Sequence, residues 1–184
     1  MSGHNKWSQI KHRKGAQDAK KSVVFSKLLA LISIAAKPDP NPETNARLRT
    51  LVEKARGENV PNDNISRAIT RAKENKDLKE FTFECLGPQG IAILVGGITD
   101  NSNRTLQEMR KICDEVGAKP ADPGSLLWAF ASPDGGEPRP GTGRDAIAKF
   151  PVEASEEIKA TLAHIVSALE EHEEVQTVAT TCAS

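Results

Sequence analysis

Two rhythms of apolar residues divide this chain. From Ser22 onward, Phe25, Leu28, Leu29, Ile32 and Ala36 recur three and four positions apart, the spacing that lines one face of a helix. The Pro38-Asp39-Pro40-Asn41-Pro42 run must end that helix, because proline has no N–H to donate and its ring clashes with the preceding turn. A second helix is predicted from about Glu43 to Glu58, with Leu48, Leu51, Val52 and Ala55 on one face, and Asn59-Val60-Pro61 breaks it. A third, about Asn62 to Asn75, repeats the register with Ile65, Ala68, Ile69 and Ala72. Three amphipathic helices on short links predict a small bundle whose outward faces carry Arg47, Arg49, Lys54, Arg56, Arg67 and Arg71.

Beyond Lys79 the period drops to two. Phe81 and Phe83 alternate with Thr82 and Glu84, and a Gly87-Pro88-Gln89-Gly90 turn leads into Ile91 to Ile98, a continuous apolar run suited to a buried strand. Together these read as a hairpin. Thr99 to Asn103 supplies capping side chains for a helix striped by Leu106, Met109, Cys113 and Val116 and closed by Gly117. Ser125 to Ala131, with Trp128 and Phe130, reads as a third strand, residues 132–145 as a Gly/Pro-rich linker or long loop, and 146–150 as a short strand. Ser155 is placed to cap a helix with Glu156 and Glu157 in its first turn and Ile158, Leu162, Ile165, Val166 and Leu169 on its apolar face; Val175 to Thr181 closes as a strand. The predicted class is α+β: an arm over 1–21, a three-helix domain over 22–76, and over 77–184 a mostly antiparallel sheet with two helices on one face.

A formal net charge of zero conceals an uneven distribution. Residues 1–76 hold 16 Lys and Arg against 7 Asp and Glu, whereas residues 77–184 hold 9 against 18. A positive half implies a polyanionic partner, of which nucleic acid is the commonest. Cysteines at 85, 113 and 182 are an odd number at wide intervals, which excludes a disulfide framework or close-spaced zinc ligation and leaves them as packing residues in a reducing compartment. The apolar stretch from Leu28 to Ala36, broken by Ser33, is far short of the roughly 18 to 20 residues that span a bilayer. A basic start before an apolar run imitates a signal peptide, but Asp18 lies within the charged stretch and Lys27 interrupts the run, so the expected location is the cytoplasm.

Catalytic chemistry finds little support. His164 and His172 fall on the acidic C-terminal helix, where a solvated or helix-end role accounts for them. Gly141-Thr142-Gly143-Arg144 lacks the spacing and the Lys-Ser/Thr of a phosphate loop, and no metal or cofactor set is assigned. The arm is different. Lys6, Lys11, Arg13, Lys14, Lys20 and Lys21 can neutralise phosphates, Trp7 among them can stack on an unpaired base, Gly3 permits close backbone approach, and His4 and His12 add hydrogen-bonding groups. A basic segment with one indole suits folded RNA better than the regular DNA major groove. Arg47, Arg49 and Arg67 of the predicted helices complete this candidate binding set.

These residues also carry a resemblance. Gly3-His4-Asn5-Lys6-Trp7, Ile10-Lys11-His12-Arg13-Lys14 and Gln17-Asp18-Ala19-Lys20 closely resemble the opening of the YebC-type family, bacterial proteins named probable transcriptional regulators with mitochondrial relatives that activate translation. Asn45-Ala46-Arg47-Leu48-Arg49, Asn59-Val60-Pro61, Asp63-Asn64-Ile65 and Arg67-Ala68-Ile69 resemble its second and third helices. Thr99-Asp100-Asn101-Ser102-Asn103-Arg104-Thr105 resembles its TDNxNRT loop and adds Arg104 to the nucleic-acid-binding candidates, while Pro123-Gly124-Ser125 and Glu174-Val175-Gln176 resemble later strands. The family's third domain, expected after the Trp-containing strand, is replaced by the linker at 132–145, and Phe83-Glu84-Cys85-Leu86 stands where a Tyr-Glu-Gly-Tyr pattern is expected.

No enzymatic activity, cofactor, membrane or small-molecule substrate is expected from the residues. The resemblance implies either a ribosome-associated factor, binding ribosomal RNA on the large subunit and assisting synthesis through difficult sequences such as proline runs, or a DNA-binding transcriptional regulator. A protein-interaction adaptor working through the acidic domain is a third alternative. The arm and its indole favour the ribosomal reading.

Overall fold

The structure is a computed structural model, and it describes residues 21–72, 78–132, 136, 138 and 146–183. The chain divides into two units, Met1–Lys76 and Asp77–Ser184. In the first, the described residues form α1 over residues 21–36, α2 over Ala46–Gly57 and α3 over Asn62–Arg71. Leu28, Ile32 and Ala36 of α1, Leu48, Val52 and Ala55 of α2, and Ile65, Ala68 and Ala72 at α3 pack into one apolar core. Small alanines let the helices approach closely. Ser33 uses this closeness: its buried Oγ donates to the Ala68 carbonyl at 3.1 Å, tying α1 to α3.

The second helix begins at Ala46 rather than near Glu43. Asn45 is the reason, since its Oδ1 accepts from the Leu48 N–H at 3.0 Å as the cap, while its Nδ2 donates to the carbonyls of Ala35 and Asp39, both at 2.7 Å. One side chain thereby starts α2 and fastens the end of α1. Asp39 organises the turn before it, accepting from the Asn41 N–H and the Thr44 hydroxyl, so Glu43 and Thr44 are held outside the helix. α2 ends with Asn59 at a φ of 63°, and the Val60 N–H closes on the Ala55 carbonyl at 2.9 Å. The expected third helix stops at Arg71, and residues 73–75 of that prediction lie outside the described residues.

The second unit is built on a four-stranded sheet in which β1 (Lys79–Leu86), β2 (Ala92–Thr99), β3 (Lys119–Pro120) and β6 (Val175–Thr180) pair antiparallel in the order β3-β1-β2-β6. The predicted hairpin is present, turning through Pro88–Gly90 with Gln89 at a φ of 55°. Every residue of β2 is buried, as its unbroken apolar run requires. Two helices, α4 (Ser102–Val116) and α5 (Glu156–Glu170), cover one face. Met109, Cys113, Leu162, Ile165 and Leu169 pack there on Phe81, Phe83, Cys85, Ile93 and Val95. This is the α+β class expected. Asn101 caps α4, Gly117 ends it at a φ of 75°, and Ser155 caps α5. Gly97 sits where β2 meets a register shift with β6, and a Cβ there would overlap the Glu174 carbonyl and the Phe81 ring.

Residues 125–131 depart from the predicted third strand. They form a tight turn over Leu127–Ala129 and a two-residue strand, β4 (Phe130–Ala131), which pairs with β5 (Ile147–Ala148) in a separate small sheet. The cause is Glu84. Its carboxylate, buried on the sheet, accepts the N–H groups of Gly124 and Leu126, each at 2.6 Å, and folds this segment across the second face instead of extending it along an edge. Phe130 and Ala129 then meet Ala92 and Leu94 from the opposite side to the helices, leaving Trp128 exposed. The edge strand β3 was not predicted; it ends in Pro120, which an edge tolerates. The linker at 132–145 falls largely outside the described residues. No helix among the described residues is long and apolar enough to cross a membrane.

Candidate nucleic-acid interface

The arm candidates Gly3, His4, Lys6, Trp7, Lys11, His12, Arg13, Lys14 and Lys20 lie outside the described residues. Lys21 is exposed in the first turn of α1. On α2 the core direction is set by Leu48, Val52 and Ala55, so helical geometry puts Arg47 with Lys54 on one flank and Arg49 with Arg56 on the other, seven residues or about 10 Å apart along the axis. Arg67 and Arg71 stand one turn apart on α3. All six are exposed. Across residues 21–72 there are nine Lys and Arg against Asp39, Glu43, Glu53, Glu58 and Asp63.

Arg49 and Arg56 have local anchors. Arg49 Nη1 donates to the Glu43 carbonyl at 3.4 Å, and Arg56 Nε donates to Asn62 Oδ1 at 3.3 Å across the link between α2 and α3. Arginine has five N–H donors, so each anchor fixes direction while leaving donors for a phosphate fork. A rigid bundle with cations on its rim can bind a polyanion at little further ordering cost.

Arg104 is placed differently. It belongs to the second unit, one turn into α4, and its guanidinium meets Glu174 directly, with Asp100 at 3.0 Å and Glu108 at 4.0 Å. Glu174 above all, with Asp100 and Glu108, holds Arg104 above the ordinary arginine range. The Glu174 carboxylate also accepts from the Thr99 hydroxyl at 3.1 Å and from the buried Thr105 hydroxyl. The TDNxNRT-like segment thus locks the end of β2 and the start of α4 to the turn before β6. A phosphate approaching Arg104 would compete with three carboxylates already beside it.

His172 takes the second of its two expected roles, solvated or helix-end. It follows the end of α5 and is half-buried, with Nδ1 accepting the Glu174 N–H at 3.2 Å and Nε2 at 3.0 Å from Glu108 Oε2. Glu108, His172 and Glu174 bring ligand-type atoms within 4.8 Å of one another. Arg104 already supplies the cation there, and the Nδ1 acceptor role keeps the proton on Nε2, where a metal would need a lone pair. His164 is exposed on α5. Cys85 and Cys113 are buried in the core and Cys182 is half-buried, all as free thiols; the Cys113 thiol, and then burial, push the Cys85 thiol up.

Sequence reasoning singled out the outward arginines but not Asn45 and Ser33, which hold their helices in place. An Asn immediately before the apolar register of α2 was the available signal for Asn45. Ser33 interrupts an apolar run, and nothing nearby in sequence names its partner 35 residues away.

Comparison with known proteins bears on both units. A family model described as the TACO1/YebC protein N-terminal domain matches residues 5–75, and one described as the TACO1/YebC second and third domain matches residues 78–133. A "Probable transcriptional regulatory protein" of Thermotoga petrophila is 51% identical over 134 residues, covering 71% of this chain and 53% of that protein. The protein of that name from Petrotoga mobilis is 48% identical over the same length and shares. The chain spans about half the length of the curated relatives it matches. Among solved structures, a conserved hypothetical protein from Aquifex aeolicus aligns with a TM-score of 0.76 at 26% identity, covering 90% of this chain and 91% of that one. With family matches in both units and about half the aligned residues identical in the curated relatives, the chain belongs to the TACO1/YebC family.

Proposed function

We propose that this chain is a nucleic-acid-binding regulator of gene expression with a binding rather than a catalytic role. Its proposed target is structured RNA of the large ribosomal subunit, and its proposed task is to assist synthesis through difficult sequences such as proline runs. The observation that carries the nucleic-acid part is the exposed cationic rim of the first unit, where Arg47, Arg49 and Arg67 stand on helices fixed by Asn45 and Ser33. Arg104 is left out of the proposed interface because its charge is already matched. RNA is favoured over duplex DNA by the basic arm with Trp7, since an indole among cations stacks on unpaired bases. A second reading, a DNA-binding transcriptional regulator, is favoured by the name its relatives carry.

Sedimentation of lysate through a sucrose gradient at low and high salt separates the readings. The ribosomal reading expects migration with large subunits, weakened by salt and lost when Lys11, Arg13 and Lys14 become alanine. Nanomolar, sequence-selective binding to a promoter duplex, unchanged by Trp7→Ala and without subunit co-migration, would transfer the assignment to transcription. Subunit association that survives deletion of residues 1–21 and alanine at Arg47, Arg49 and Arg67 would contradict both and point to the acidic unit.

A further inference from the structure

Two of the three cysteines meet in the core of the second unit. Cys85 follows Phe81 and Phe83 at two-residue steps along β1, so its side chain points with theirs toward the helices, and Cys113 lies one turn beyond Met109 on the face of α4 that packs on them. Both are fully buried. The backbone holds them together from either side. Gly117 ends α4, the Ala118 N–H closes on the Cys113 carbonyl at 2.9 Å, and two residues later Pro120 is the strand partner of Cys85. The Ala121 N–H then donates to the Glu84 carbonyl, also at 2.9 Å. Within this frame the Cys85 and Cys113 thiols are hydrogen-bonded to each other. Cys182 stands apart, because β2 lies between β1 and β6 and Cys182 follows the end of β6, two inter-strand steps or about 10 Å from Cys85.

As packing groups two thiols do no more than small apolar side chains would. What sets a facing pair apart is that its sulfurs can bond. We propose that Cys85 and Cys113 form a redox-responsive staple: hydrogen peroxide converts them to a disulfide that joins β1 to α4, and a dithiol reductant reopens it.

The Cys85 S–H donates to the Cys113 sulfur and holds the Cys113 thiol below its ordinary range, while Cys113, and then burial, push the Cys85 thiol up, so Cys113 acts first. Its thiolate attacks one peroxide oxygen, the O–O bond breaks, and the departing hydroxide takes up the Cys113 proton as water. The Cys85 sulfur then attacks the sulfenic sulfur of Cys113. The S–S bond forms, the S–OH bond breaks, and hydroxide leaves with the Cys85 proton as a second water. Two electrons pass from the sulfurs to the peroxide, and the dithiol returns them on reopening. Burial also sets selectivity: a small oxidant reaches the pair when the last turn of α4 opens, whereas a bulky aromatic disulfide reagent meets only Cys182 in the folded chain.

The full chain, treated with hydrogen peroxide and digested without reductant, tests this. The expected product joins the peptides carrying Cys85 and Cys113 with the loss of two hydrogens. The linked chain is expected to unfold on the order of 10 °C higher than the reduced one and to exchange its Ala118 and Ala121 amide hydrogens more slowly, and dithiothreitol reverses both. Cys85→Ala and Cys113→Ala each abolish the link and the rise, and Cys182→Ala leaves them intact. The wild-type readouts stand whether or not these variants fold. The proposal is overturned if the peroxide-treated folded chain keeps both thiols free or carries sulfinic acid on one beside a reduced partner, if the link forms only in urea, or if the linked chain unfolds no higher than the reduced one.

Discussion

The first unit keeps its cations outside an apolar seam, whereas the second draws charge inward and satisfies it there. Arg47, Arg49 and Arg67 lie exposed on α2 and α3, and the polar groups that the first unit uses internally, Ser33 and Asn45, are neutral. In the second unit Glu84 is buried against two backbone N–H groups, and Glu174 gathers Arg104, Thr99 and Thr105. The same residue type therefore has two uses. An arginine exposed on the rim of a bundle stands where a polyanion can reach it, and an arginine set among carboxylates holds three chain segments together. Counting basic residues does not distinguish these; their surroundings in the fold do.

The sharpest way to break this contrast is to remove the buried charge. Glu84→Ala leaves the Gly124 and Leu126 N–H groups without their acceptor and is expected to cost about 3 kcal/mol in urea unfolding, with the Trp128 environment altered. A loss below about 1 kcal/mol would mean that the carboxylate is dispensable to the fold. In the first unit the comparable lock is neutral and weaker: Asn45→Ala, which uncaps α2 and frees the end of α1, is expected to cost about 1 to 2 kcal/mol by the same assay. Thr105→Val removes one donor to Glu174 at constant size and should cost about 1 kcal/mol. The smallest effect concerns acid. The Thr44 hydroxyl, and then the Asn41 N–H, hold Asp39 below the ordinary carboxylate range. A lowered folded pKa gives stability that is complete above the unfolded value near about 4 and is lost as pH falls through the folded value. Asp39→Asn should remove that small contribution at neutral pH and so flatten the acid limb, the two proteins converging at low pH, read from unfolding midpoints across the range.

Much of the fold was legible because its signals were local. Ser155 ahead of Glu156 and Glu157, the apolar run of β2 and Gly117 after the stripe of α4 each report on residues within one or two turns. The misreadings share the opposite property. Glu84 alternates with Phe83 and Cys85 like any outward polar residue, and its partners lie some 40 positions on. Trp128 fits a strand pattern until Glu84 folds its segment across the sheet. Of the candidate site, the outward position of Arg47, Arg49 and Arg67 followed from helical period alone. Arg104 showed Asp100 and Glu108 four residues to either side, yet Glu174, the partner that engages it most closely, is 70 residues away.

The salt dependence of binding tests the central contrast most directly. Affinity of the full chain for an RNA hairpin from the large ribosomal subunit is measured across a range of salt, with Arg47, Arg49 and Arg67 changed together to alanine and, separately, with Arg104→Ala. The account predicts that the triple change lowers the slope of log affinity against log salt by about 2 to 3, at roughly 0.7 to 0.9 per phosphate, while Arg104→Ala leaves the slope where it was. A slope unmoved by the triple change, or moved as much by Arg104→Ala, would contradict the division of labour between the two units.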